Sequence, residues 1–194
     1  MRDEKNPWIP IADLLSSVVL VLLLLFTMAV IVPRFTQETQ KREAITQLQG
    51  ALHDYEVKGL VKVHMESGML EFTDVTFDKG SALLNDKFIP VIKEVASILI
   101  ANMDKNPKMQ ILIEGHTDPA VVFATVNKGG YFENNIQLSA LRASNVRGYL
   151  LQSMGEAYVN RIGIAGYGET RLKNKDDIMA SENRRVEIRM LWAE

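Results

Sequence analysis

From Leu14 to Val32 the chain runs for 19 positions without a charged residue, and its only polar side chains there are Ser16, Ser17 and Thr27. At about 1.5 Å per residue such a helix reaches roughly 28 Å, close to the ~30 Å hydrocarbon core of a bilayer. Lipid supplies no hydrogen bonds, so a backbone crossing it must pair its own N–H and C=O groups. The stretch 9–32 is therefore expected to be a membrane-spanning helix, preceded by a short tail, 1–8. The apolar run exceeds the roughly 7–15 residues of a signal-peptide core, and no A-x-A site follows it, so a retained anchor is expected.

An acid, Asp13, stands one residue before the uncharged run. A charge at the centre of a spanning helix costs about 2.5–3.5 kcal/mol, and less near the interface, so its presence needs a reason. One reading makes Asp13 interfacial, favoured by the positive end of the helix dipole, with Trp8 on its outer side in the headgroup belt. The other makes it a proton or cation acceptor facing a protein partner. Ser16 and Ser17, three and four residues on, share its helical face and are expected to hydrogen-bond the carboxyl or help coordinate an ion. Lysines and arginines flank the span on both sides (Arg2 and Lys5 before, Arg34, Lys41 and Arg42 after), so charge assigns no orientation.

The remaining ~160 residues are enough for one soluble domain and a connector. A net charge of −2 with interspersed signs leaves no electrostatic footprint for nucleic acid. The absence of cysteine excludes a disulfide framework and a thiolate metal site. The polar stretch after Pro33 is assigned to a connector, 33–59. Its narrow apolar stripe, Ile45, Leu48 and Leu52, fits a short coiled coil or a solvated helix with one apolar edge.

From residue 60 the periodicity changes. Residues 60–65 (LVKVHM) and 69–72 read as a hairpin. Residues 86–103 repeat apolar side chains at helical spacing, with Pro90 in the first turn. A strand at 109–114 (MQILIE) precedes a polar, glycine-containing loop to 133. Residues 138–154 form the next helix, stopped by Gly155. Strands at 161–167 and 184–191 flank a loop at 168–183. The order β-β-α-β-α-β-β predicts an α+β sandwich, a mixed sheet with helices on one face, over 60–194.

Three segments converge on one side of such a fold: Gly115-His116-Thr117-Asp118 at a strand end, Asn135 to Ala143 entering a helix, and Asn183 to Glu187 opening the last strand. The strings GHTD, NIQLSALRASNVRGYL, GYGE and NRRVEI, with FDKGSALLN upstream, resemble the OmpA-like peptidoglycan-binding domain family over roughly residues 70–191. With a single N-terminal span carrying an acid near its start, the whole chain resembles the MotB group, the wall-anchored subunits of ion-driven stators.

The resemblance implies a peptidoglycan site in which Asp118 takes an ammonium and Arg142 a carboxylate of a zwitterionic stem-peptide residue. Thr117, Asn135 and Leu138 would line it, with Arg184 nearby. A facing carboxylate and guanidinium are the complement of such a ligand, and the competing reading is a structural Asp–Arg salt bridge. The resemblance further implies Asp13, Ser16 and Ser17 as an ion relay for H⁺ or Na⁺ with no bound cofactor. It implies a MotA-like multi-span partner, a second copy of the chain, and an inner-membrane location with the N-terminus cytoplasmic and the domain periplasmic. Flagellar-type motility and Zorya-type anti-phage defence share this architecture. The connector is expected to hold the domain near the membrane when idle and to extend on activation. A passive membrane-to-wall tether is the alternative.

No catalytic set is apparent. Ser139 has no histidine partner in its motif, and His53, His64 and His116 have no metal-ligand spacing, so His116 is expected to be structural. One departure from the family is the loop between Asp118 and Asn135, PAVVFATVNKGGYFEN, which is long and apolar. Its Val121, Val122, Phe123, Tyr131 and Phe132 are candidates to cap the pocket, pair with a second copy or alter which ligand fits.

Overall fold

The computed structural model describes residues 8–73, 76–77, 81–122, 125–127 and 130–192. Tail residues 1–7, Asp78 to Gly80 of the FDKGSALLN string, and Phe123 lie outside the described residues. The chain divides into two compact units, Met1–Gln40 and Lys41–Glu194.

In the first unit, α1 (Trp8–Phe26) buries none of its residues. Among the described residues it begins the one helix long and apolar enough to cross a membrane. A π-helical turn, Thr27–Ile31, follows, and α2 (Val32–Val57) begins with the Val32 N–H bonded five residues back to the Thr27 carbonyl. Pro33 has no N–H to give, and the wider turn lets the helix pass the proline instead of ending there. The Ser16 hydroxyl donates to the Ala12 carbonyl at 2.8 Å and that of Ser17 to the Asp13 carbonyl at 2.9 Å. Both are local back-bonds to the preceding turn, and each hydroxyl oxygen keeps its lone pairs.

The second unit is built on a five-stranded mixed sheet in the order β1-β2-β7-β3-β6. Strands β1 (Val61–His64) and β2 (Met69–Phe72) form the expected hairpin, and β2 pairs antiparallel with β7 (Arg185–Leu191). Strand β3 (Gln110–His116) lies antiparallel to β7 and parallel to β6 (Ile162–Gly166). A 3-10 turn, Asp86–Phe88, leads into α3 (Ile89–Lys105), which carries its proline at the helix start. Helix α4 (Asn135–Met154) is capped by the Asn134 side chain accepting from the Gln137 N–H.

Side chains alternate across the pleat, so Val63, Leu70, Ile188 and Ile113 fall in one row of the sheet face that packs on the helices. That core includes Ala44, Ile45, Leu48 and Leu52 of α2, each at 2% exposure or less. Gln47 accepts a 3.3 Å hydrogen bond from Asn102 of α3.

The stripe read as a coiled-coil or solvated edge is therefore covered by the chain's own domain, and the folded unit begins at Lys41, inside the expected connector. Extending the chain through residue 52 means stripping four core side chains. Residues 33–43 alone remain before the core, about 16 Å as helix and at most about 40 Å extended.

The long loop after Asp118 is not irregular throughout. Strands β4 (Thr125–Asn127) and β5 (Gly130–Phe132) pair antiparallel in a sheet of their own. Phe132 anchors this hairpin in a second small core with Ala82 and Leu138, against which Val122 and Leu141 pack.

Candidate ligand-binding site

Helix α4 lies unusually close to the ends of β3 and β6, and two glycines make that possible. Gly115 and Gly166 are register partners on the two strands. A Cβ on Gly115 would sit 2.0 Å from the Ser139 carbonyl oxygen, and one on Gly166 would sit 2.5 Å from the Ala140 nitrogen. With no side chain at either position, the first turns of α4 rest directly on the sheet. The strand end carrying Thr117 and Asp118 is thereby brought against the helix start carrying Asn135.

Hydrogen bonds complete the junction. The Thr117 N–H donates to the Gly168 carbonyl at 2.9 Å, and the Gly168 N–H donates to the Ser139 hydroxyl at 2.9 Å. Ser139 is thus a fully buried structural link. Asp118, 5% exposed, accepts from the Ala120 N–H through Oδ1 at 3.2 Å and pairs through Oδ2 with Arg184 Nη1 at 2.6 Å. Asn135 Nδ2 donates to the Ala120 carbonyl at 3.0 Å, so one turn of backbone, Asp118 to Ala120, is held from both sides. Arg184 also reaches the Met179 carbonyl at 3.3 Å.

Asn135, Leu138 and Arg142 occupy one buried face of α4 at i, i+3 and i+7. Arg142 is 4% exposed; its Nε donates to the Ser81 carbonyl at 3.0 Å and its guanidinium lies 5.0 Å from the centre of the Phe77 ring. Leu138, expected to line a pocket, is 4% exposed because Phe132 of the inserted hairpin covers it. Asp118 pairs with Arg184, the arginine expected nearby, while Arg142 holds the Ser81 carbonyl. Asp13, Ser16 and Ser17 belong to the other unit.

Two buried polar atoms here have no partner among the described residues: the Thr117 hydroxyl oxygen and Asn135 Oδ1. Buried groups of this kind are normally satisfied, so each is open to a ligand or water. His116, next in the chain, is 2% exposed and stacks on Tyr167 with ring centroids 5.3 Å apart. Burial, reinforced by the cations Arg185, Arg171 and Arg189 and opposed by Glu187, lowers its pKa to about 4. The ring is neutral near pH 7 and acts as a packed structural group.

A feature not anticipated from the pattern is the charge on the opposite face of the sheet. Glu71, Glu114 and Glu187 are buried there, together with Arg185. Along β7, RVEIRML, the charged residues Arg185 and Glu187 are as enclosed as the apolar Val186 and Ile188.

Residues 76–185 match the OmpA family. The chain is 30% identical over 151 residues to Motility protein B of Bacillus subtilis, an alignment taking in 75% of this chain and 54% of that protein. It thus spans about half the length of that relative. Among solved structures, it is 28% identical to the cell wall anchor of the T6SS from Pseudomonas aeruginosa (TM-score 0.59), with 76% of this chain and 97% of that one covered. It is 25% identical to a MotB-like protein of Desulfovibrio vulgaris (TM-score 0.61), covering 82% and 98%. The periplasmic domain of Helicobacter pylori MotB shares the fold at 22% identity and a TM-score of 0.53, covering 69% of this chain and 82% of that one.

Proposed function

We propose, for a chain that belongs to the OmpA family, that it is the wall-anchored subunit of an ion-driven membrane motor. The observation carrying this reading is the order of parts: an apolar span with an acid near its start, then an OmpA-family domain, in a chain alignable over 75% of its length with Motility protein B. The domain binds peptidoglycan on the periplasmic side, and the N-terminus is cytoplasmic.

Asp118, Arg184 and Arg142 supply one carboxylate and two guanidiniums for a stem-peptide centre bearing both an ammonium and a carboxylate. Asn135 Oδ1 and the Thr117 hydroxyl, unpartnered and buried, support a ligand that brings its own polar hydrogens. Leu138 backs the site from beneath the inserted hairpin.

Asp13 relays H⁺ or Na⁺ against a MotA-like multi-span partner, in a complex holding two copies of this chain. Ser16 and Ser17 follow the acid by three and four residues and belong to the same relay. Protonation removes a charge from the partner interface and shifts the balance between two packings, so ion flow drives stepwise motion while the wall holds one component still. The motion serves flagellar-type motility or Zorya-type defence. Residues 33–43 provide the extensible part of the tether.

A second reading, a passive tether between membrane and wall, is favoured by the 28% identity to a cell wall anchor. Asp13→Asn and Arg142→Ala separate the two. The motor reading expects both variants to abolish activity while both still insert in the membrane. Activity that survives Asp13→Asn and is lost in Arg142→Ala makes the chain a tether.

A further inference from the structure

On β2, β7 and β3 the residues Glu71, Glu187 and Glu114 stand side by side in register, each at 5% exposure or less. Strands lie about 4.8 Å apart, so three carboxylates in such a row repel one another unless each has a cation of its own. Strand β7 supplies two: Arg185 Nε lies 2.7 Å from Glu187 Oε1, and Arg189 Nη2 lies 2.8 Å from Glu114 Oε2.

Glu71 is served from outside β7. Lys173 Nζ lies 2.5 and 2.7 Å from its two carboxylate oxygens, and His64 Nε2 lies 2.9 Å from Oε2. Burial by itself would raise the Glu71 carboxyl, but the hydrogen bonds from Lys173 and His64 outweigh it and hold the group below the usual carboxylate range.

Lys173 sits in the loop 168–183, both ends of which meet the candidate ligand site. The loop enters at Gly168, whose carbonyl accepts from Thr117, and leaves into Arg184, which pairs with Asp118. Between these ends it is organised by one fully buried side chain, Asn183. Asn183 Oδ1 accepts from the N–H groups of Lys173 and Asn174 at 2.8 and 2.9 Å, and Nδ2 donates to the carbonyls of Asn174, Asp177 and Ile178. The backbone of Lys173 and the residue preceding Arg184 are therefore parts of one hydrogen-bonded unit, fastened to the sheet through the Lys173 ammonium.

We propose that Lys173 is a positioning residue for the ligand site: seated on buried Glu71, it locks the 168–183 loop in the conformation that presents Arg184 to Asp118, and so sets the affinity for the wall peptide. The affinity part rests on the peptidoglycan reading above. The competing role is purely structural, with Lys173 serving only to neutralise a buried acid. The two differ in what happens when acid and ammonium are removed together, because the double change leaves no unpaired buried charge but also no fastening.

The experiment uses the full chain in detergent micelles, co-sedimentation with isolated peptidoglycan sacculi, and hydrogen exchange at the Lys173 and Asn174 amides. Lys173→Met is expected to weaken sedimentation about tenfold, the scale of one lost charge-assisted contact. Lys173→Arg is expected to stay within about twofold of wild type, because the charge-assisted bond is kept. Glu71→Gln/Lys173→Met is expected to recover the melting temperature yet keep the weak binding and the faster loop exchange. A double variant with wild-type binding and wild-type exchange overturns the proposal. A wild-type chain that does not sediment with sacculi overturns the wall reading and the affinity part with it, while the exchange rates still decide whether Lys173 holds the loop.

Discussion

Acid should weaken this domain through one buried imidazole, that of His116. His116 is 2% exposed, and neither ring nitrogen has a hydrogen-bond partner among the described residues. Its pKa falls from 6.5 to about 4 on folding, chiefly through burial and then through Arg185 and its neighbouring cations. Below 6.5 the unfolded chain takes up a proton that the folded chain declines. Stability is therefore complete above that value and is lost as pH falls toward 4, where the folded ring also protonates.

At about 1.4 kcal/mol per tenfold change in proton affinity, the full difference is about 3 kcal/mol, of which about 2 kcal/mol is lost by pH 5. For a domain of this size that corresponds to a fall of about 4–8 °C in Tm. Thermal unfolding of the full chain in micelles can be followed through Trp192, which packs against the core, with Trp8→Phe removing the other tryptophan. Between pH 7.5 and 5 the parent should lose this stability and His116→Phe should lose far less. His53 and His64 are common to both proteins and drop out of the difference. The low-lying Glu71 carboxyl titrates beneath the window. Equal slopes for parent and variant would refute the reasoning.

Leu48→Ala should destabilise the domain by about 2–5 kcal/mol in urea unfolding, because the side chain is fully buried; a loss under about 0.5 kcal/mol would return α2 to the role of a solvated connector. Gly115→Ala should prevent α4 from seating on the sheet, since its Cβ would fall 2.0 Å from the Ser139 carbonyl oxygen. Circular dichroism and co-sedimentation with sacculi should then both report a damaged domain, and a native melting curve would contradict the close helix–strand approach.

The legible parts of this fold were those that depend on local periodicity. The 69–72 strand, the 86–103 helix and the 138–154 helix reappear as β2, α3 and α4 with small shifts at their ends. The inserted loop was harder, because its hairpin is stabilised by Phe132 reaching Leu138 and Ala82, contacts with no short-range signature. The stripe Ile45, Leu48 and Leu52 was visible as apolar, but what covered it was not. A narrow apolar face fits a second helix or a sheet equally well until the partner is known.

At the site, the motifs located Thr117, Asp118, Asn135 and Arg184, which the structure joins through one turn of backbone. They did not show that Asp118 pairs with Arg184, because the two lie far apart along the chain and only the folding of the 168–183 loop brings them together.

What the amino-acid order alone determined is the division of labour, since 19 uncharged residues can be solvated by lipid and the alternating segments after residue 60 cannot. Tertiary structure decided where the charges went. Glu71, Glu187 and Glu114 come from distant positions and become neighbours only when β2, β7 and β3 pair. Their repulsion and its relief by Lys173, Arg185 and Arg189 arise from proximity on one sheet face, which no stretch of sequence contains.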